Sequence, residues 1–169
     1  MGANLGDPEA QLRSALRHLA EVLGPLDVAS LYRTAPVGPA TAPPQPDFLN
    51  TAATGATTLT PEQLLALAKS LERDAGRTPG PRFGPRPLDV DLLLYGDAIS
   101  TAPELTLPHP RLPHRRFVLV PLAEVAPGWP VPPGGKTVAE LLAETEDQGR
   151  VERLQWAVPL PQILHVRSG

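Results

Sequence analysis

Residues Arg82 to Tyr95 read R-F-G-P-R-P-L-D-V-D-L-L-L-Y. The run divides at Pro87. From Arg82 to Pro87, Gly84, Pro85 and Pro87 exclude regular structure, and the missing proline N–H groups break any ladder. Leu88 to Tyr95 is short and apolar, closes on Gly96-Asp97, and is expected to be a strand. Side chains of a strand alternate between faces, so Asp89 and Asp91 leave the same face, roughly 6–7 Å apart. Leu88, Val90 and Leu92 take the opposite face, where a core wants them.

Two neighbouring carboxylates on an apolar strand repel each other and resist desolvation, so a cation is expected over them. Carboxylate oxygens suit a hard divalent ion, and Mg2+ characteristically takes one or two carboxylates while phosphate oxygens fill other positions. Arg82 and Arg86 in the adjoining loop carry guanidinium forks that match phosphate. Read on these residues alone, the run is either a Mg-nucleotide site or an edge strand whose acids pair with its own arginines.

The 169 residues suffice for one domain with a proper core. No stretch has the apolar length of a membrane span, and nothing resembles a signal peptide. Without cysteine, disulfides and thiolate metal sites are excluded. A cytoplasmic protein is the expectation, and the net charge of -3 argues against a general nucleic-acid binder. Arginine is nonetheless concentrated: positions 73, 77, 82, 86, 111, 115 and 116 fall within one quarter of the chain, as a site for a small anionic ligand would require. The 23 prolines punctuate apolar segments and predict ordered loops.

Along the chain, Asp7-Pro8 is an N-cap and first-turn pair opening a helix through Leu12, Leu16, Leu19 and Leu23, which Gly24-Pro25 stops. Val28 to Tyr32 is strand-like. Thr34 to Asp47 is a long proline-rich loop, a length that marks functional loops and lids. Phe48 to Leu59 reads as a strand. Thr60–Gln63 is a capping box for a helix with Leu64, Leu67, Ala68 and Leu71 on one face, ending at Gly76. Thr106-Leu107 is a short strand, followed by a basic turn-rich loop. Phe117 to Val125 is helical in part despite Pro121, and Thr137–Glu140 is a second capping box. The order predicts an α+β fold with a mixed, mostly antiparallel sheet. The G-G-K-T at Gly134 is no P-loop, because Pro130 stands at the required first glycine.

Taken together, R-F-G-P-R-P-L-D-V-D-L-L, G-A-N-L-G-D at Gly2, L-Y-R-T-A-P-V-G at Leu31, Q-P-D-F-L-N at Gln45 and P-H-P-R-L followed by R-R-F-V-L-V-P-L-A-E-V-A-P resemble the 6-hydroxymethyl-7,8-dihydropterin pyrophosphokinases of folate biosynthesis, from Gly2 to about Trp156. The resemblance implies a ferredoxin-like three-layer sandwich forming one domain over residues 1–157, with 158–169 as a tail. It also implies transfer of pyrophosphate from ATP to the pterin hydroxymethyl group, releasing AMP, by a monomer that needs no membrane or nucleic-acid partner.

Carried over by position, Asp89 and Asp91 would hold two Mg2+ ions, with Arg82 and Arg86 beside them in catalysis. Lys69, Glu72, Arg77, Arg86, Leu92, Thr106, His109 and Arg115 would contact ATP. Phe48 and Phe117 would sandwich the pterin, with Thr34, Val37 and Asn50 on its edges. A flat heterocycle wants aromatic faces, each worth on the order of 1 kcal/mol, and the chain's three phenylalanines (Phe48, Phe83, Phe117) all lie beside Pro/Gly/Arg loops. Asp91 as acceptor of the hydroxyl proton and Asp91 as metal ligand alone remain alternatives.

The chain departs from the family in a short T-P-G-P loop between Arg77 and Arg82, in Phe83 where tryptophan is common, and in a longer loop from Gly38 to Gln45. It also lacks the family's usual first strand, since only Met1 precedes the G-A-N-L-G-D turn. Three accounts compete: a start upstream of Met1, which is favoured, an open slot in the sheet, or the strand-like Gln162–Val166 filling that slot. Rival functions are a nucleotidyltransferase with the same acidic pair, which would release pyrophosphate, and a nucleotide- or RNA-binding module built on the arginine loops.

Overall fold

Asp7 accepts a hydrogen bond from Ala10 N–H and starts α1 (Pro8–Leu23), as its cap and proline predict. The computed structural model describes residues 1–39, 41–42, 44–81, 83–161 and 164–166. Before α1 lies β1 (Gly2–Ala3), and after it come β2 (Leu26–Val28), β3 (Leu31–Thr34), β4 (Phe48–Asn50) and β5 (Ala53–Thr54). The Thr60–Gln63 capping box opens α2 (Pro61–Asp74). Then follow the hairpin β6 (Ser100–Ala102) and β7 (Leu105–Leu107), helix α3 (Arg116–Val125), the pair β8 (Pro130–Val131) and β9 (Lys136–Thr137), α4 (Val138–Glu144), β10 (Val151–Leu154) and β11 (Leu164–Val166). The fold is α+β, with pairings antiparallel except that of β11 with β2. No helix of the described residues is long and apolar enough to cross a membrane.

The central strands run in two halves. β3 pairs with β4 and β2 with β5, but three residues separate Val28 from Tyr32 where only two separate Asn50 from Ala53. The extra residue makes a bulge at Ser30, whose N–H turns to the Glu124 carboxylate of α3 at 2.9 Å. Alternation across the strand then feeds two cores. Leu31 packs with Leu12, Ala15, Ala68, Leu71, Leu88 and Val90 beneath α1 and α2. Tyr32 packs with Leu112, Leu119, Leu122, Val125 and Val138 around α3 and α4. Leu12, Leu31, Leu88, Leu112 and Leu119 are fully enclosed, each burial contributing roughly 1.5–3 kcal/mol.

Five expectations change. The strand expected from Phe48 to Leu59 is instead two, β4 and β5, parted at Thr51-Ala52 because they pair with different strands, and it ends at Thr54. Leu88 to Tyr95 is not a laddered strand: Asp89 forms one antiparallel bridge, with Gly2. Pro121 is accommodated within α3, which is continuous from Arg116 to Val125. Val151 to Leu154, unassigned by pattern, is β10 and covers β3 on the side away from β4. Finally, the tail does not take the place of a first strand. Gln162 and Ile163 lie outside the described residues, and Leu164–Val166 pairs with β2 on the edge opposite β5. β1 lies instead between β4 and the Asp89 bridge, with Gly2 opposite both Asn50 and Asp89.

Candidate active site

The alternation expected from L-D-V-D survives without the ladder: Leu88 and Val90 are buried, Asp89 is half-buried and Asp91 is exposed. Asp89 is held between two guanidinium groups. Arg77 Nη1 lies 2.6 Å from its Oδ1 and Arg86 Nη1 2.8 Å from its Oδ2. Burial pushes the Asp89 pKa up, but Arg86 and Arg77 outweigh it and leave the carboxyl below the ordinary aspartate value. Asp91 has no hydrogen-bond or ion-pair partner among the described residues. Across from it, the His109 backbone N–H donates to Leu93 O at 2.9 Å, which ties the basic loop to the acidic segment. Burial lowers the His109 pKa, Asp91 opposes the shift, and Arg115 and Arg111 reinforce it.

These groups line one end of a cleft of about 290 Å3. Its other end is apolar and aromatic. Thr34 from β3 and Asn50 from β4 are buried neighbours, with Asn50 Nδ2 donating to Thr34 Oγ1 at 2.7 Å. Phe48, at the start of β4, and Phe117, in the first turn of α3, both face the cleft. The Arg115 guanidinium sits 5.5 Å from the Phe117 ring centroid, a cation–π arrangement that carries positive charge toward the aromatic end.

Two loops flank the opening, and one buried side chain joins them. Asn4 Nδ2 donates to Gln45 Oε1 and to Pro46 O, both at 3.0 Å, while its Oδ1 accepts from Arg86 N–H at 2.8 Å. Gln45 Nε2 in turn donates to Phe83 O at 2.6 Å. Phe83 has φ 64, the left-handed region that a bulky side chain avoids. The carbonyl that Gln45 holds is thus presented by an unfavourable backbone turn.

Of the residues singled out in the sequence, Asp89, Asp91, Arg86, Arg77, Lys69, His109, Arg115, Thr34, Val37, Phe48, Asn50 and Phe117 line this single cleft. Arg82 lies outside the described residues. Glu72 sits behind the wall, 3% exposed. Leu92 and Thr106 are not part of the lining, and Thr106 Oγ1 donates to Ala102 O within its own hairpin. Sequence reasoning missed the bridging role of Asn4 and Gln45, although both stand inside quoted motifs, and Arg111, which belongs to the arginine cluster and lines the cleft. Among the described residues no third histidine or carboxylate joins the acidic pair as a metal cluster. The donor set still fits Mg2+, which takes one or two carboxylates when phosphates and waters supply the remainder. Each Asp89 oxygen also keeps a lone pair beyond its one arginine contact.

Comparison with known proteins finds one family and several named relatives. A family model, 7,8-dihydro-6-hydroxymethylpterin-pyrophosphokinase, matches residues 1–127. The chain is similar to proteins named 2-amino-4-hydroxy-6-hydroxymethyldihydropteridine pyrophosphokinase. That of Synechocystis sp. is 40% identical over 149 residues, covering 86% of this chain and 74% of the relative. That of Methylorubrum extorquens is 43% identical over 157 residues, covering 92% and 96%. That of Pseudomonas aeruginosa is 39% identical over 160 residues, covering 93% and 95%.

Proposed function

We propose the reaction from one premise: the chain belongs to the 7,8-dihydro-6-hydroxymethylpterin-pyrophosphokinase family. It is an ATP-dependent diphosphokinase that moves pyrophosphate from ATP to the hydroxymethyl group of 6-hydroxymethyl-7,8-dihydropterin in folate synthesis. The observation that carries the assignment of roles is the two-ended cleft, with carboxylates and arginines at one end and phenylalanines with a Thr–Asn pair at the other. A triphosphate suits the first end and a flat, hydrogen-bonding heterocycle the second.

In this reading Phe48 and Phe117 stack on the pterin while Thr34, Val37 and Asn50 meet its edges. Arg77, Arg82, Arg86, His109 and Arg115 meet the phosphates, and Lys69, Leu92 and Thr106 lie toward the adenosine. Asp89 and Asp91 would hold two Mg2+ ions, which supply charge neutralisation at the phosphate oxygens. The chain's own part is positioning. Arginines orient the phosphate chain, the aromatic end holds the hydroxymethyl in line, and the two loops exclude water. No protein nucleophile is required. We further read the fold as a ferredoxin-like three-layer sandwich, residues 1–157 as one domain with 158–169 as its tail, and the protein as a cytoplasmic monomer.

The test is product identity. AMP should appear from ATP only when both the pterin and Mg2+ are present. Release of pyrophosphate instead would assign the acidic pair to a nucleotidyltransferase.

A further inference from the structure

Among the described residues the segment carrying Asp89 and Asp91 makes a single β-bridge. That bridge, to Gly2, holds it on one side, and beyond Asp89 its N–H groups need other acceptors. The acceptor that Val90 finds is a side chain. Glu72, in the last turn of α2, takes the Val90 N–H on Oε1 at 2.9 Å. Val90 is the residue between the two aspartates. The same oxygen accepts from Arg77 Nη1, which reaches on to Asp89 at 2.6 Å, and Oε2 takes Lys69 Nζ at 3.0 Å. Glu72 is therefore bonded to the backbone of the acidic segment and to the arginine that contacts its first carboxylate.

Burial separates this arrangement from an ordinary helix-surface ion pair. On the Lys69 side the contact is an i,i+3 pairing with a half-exposed ammonium, of the kind worth little when both partners face water. The Glu72 carboxylate is enclosed, so its contacts act in a low dielectric and leave it no freedom to swing into the cleft. A group that holds other groups and does not itself face the cleft acts through them.

We propose that Glu72 is a positioning residue. It fixes the direction of the Asp89 and Asp91 carboxylates and the reach of Arg77 through its bonds to Val90 N–H and to the Arg77 guanidinium. It does not itself contact the nucleotide. The proposal rests on the metal–phosphate role given above to Asp89 and Asp91.

The test compares full-length wild type with Glu72→Gln, which keeps an oxygen for Val90 N–H but removes the charge that holds Lys69 and Arg77. Mn2+ binding is titrated calorimetrically in the presence of a non-hydrolysable ATP analogue, and analogue binding is titrated without metal. The KM for the pterin and the melting temperature are measured alongside. Mn2+ affinity weaker by about tenfold, a clearly smaller loss of metal-free analogue affinity through Arg77 and an unchanged pterin KM support the proposal. Unchanged Mn2+ affinity with a lowered melting temperature reduces Glu72 to a structural role and overturns it. Equal loss of analogue affinity with and without metal makes Glu72 a direct nucleotide contact and also overturns it. If Glu72→Gln does not fold, Glu72→Asp, which keeps the charge but withdraws it by one methylene, carries the same readouts. A wild type that makes no AMP sinks the assigned reaction, while the Mn2+ titration still decides the role of Glu72.

Discussion

A Cβ added to Gly2 would stand 2.5 Å from Asn50 Oδ1, closer than non-bonded atoms tolerate. Glycine at this position is what lets Asn50 lie against β1 and donate to Thr34. Gly2→Ala is therefore expected to displace the Asn50 side chain, weaken pterin binding by about tenfold and cost roughly 1–3 kcal/mol of stability. ATP affinity should fall less, because alanine can still make the two backbone hydrogen bonds that Gly2 shares with Asp89. Paired calorimetric titrations of the two ligands check this.

The two aspartates should separate in stability though not in activity. Asp89→Ala leaves Arg77 and Arg86 without their shared carboxylate at a partly buried place, for a loss of about 1–3 kcal/mol. Asp91→Ala removes an unpartnered, exposed carboxylate and should leave the melting temperature alone or raise it slightly. Both should reduce turnover by at least about a hundredfold. Equal destabilisation by both variants would contradict the pairing described here.

Asn4 supplies both an acceptor and two donations to the loops around the cleft. Asn4→Asp keeps the acceptor for Arg86 N–H but places a carboxylate against Gln45 Oε1 and Pro46 O. Cleavage by a nonspecific protease should then begin in the loops around Gln45 and Phe83, while the far core stays protected. A stability loss near 2 kcal/mol is expected. Uniform protection from proteolysis would show that the loops need no such tie.

Alkaline pH tests the contact between α3 and the central strand. Burial, together with the hydrogen bond to Glu124, pushes the Tyr32 hydroxyl from the usual 10 up to about 12. The unfolded chain gives up this proton first, so the stabilisation is complete below pH 10 and is lost as the pH rises toward 12. Denaturant titrations across that window should show a loss on the order of 2 kcal/mol that Tyr32→Phe abolishes. In absorbance, one of the two tyrosines should ionise late.

Local chemistry carried much of this structure in plain view. Asp7-Pro8, Thr60–Gln63 and Thr137–Glu140 start their helices as their caps require, since a cap needs only residues within one turn. The acidic pair and its arginines were legible because spacing sets a common face. Whatever depends on distant partners was not. The bulge at Ser30 answers to Glu124, 94 residues away, and the Asn4 tie reaches Gln45 across 41. The single bridge at Asp89 depends on Gly2, 87 residues away, which the segment's own pattern cannot report. The resemblance puts Glu72 among the nucleotide contacts, and nothing in the sequence reports that its buried carboxylate accepts from Val90 N–H.

Residues beyond Leu154 cross α1, where Arg13 donates to Val158 O and Pro159 O and Glu9 accepts from Ala157 N–H, before Leu164–Val166 joins β2. This order has a kinetic meaning. Pairing β10 with β3 joins Val151 to Thr34, more than a hundred residues away in the chain, and that loop closure carries most of the entropic penalty. Once it is made, the short stretch onward to β2 can zip up cheaply. On the ribosome, the outer edges of β2 and β3 therefore stay open until these late residues emerge. During that interval a nascent chain offers unpaired strand edges to its neighbours, and crowded polysomes would be where this protein is most prone to self-association.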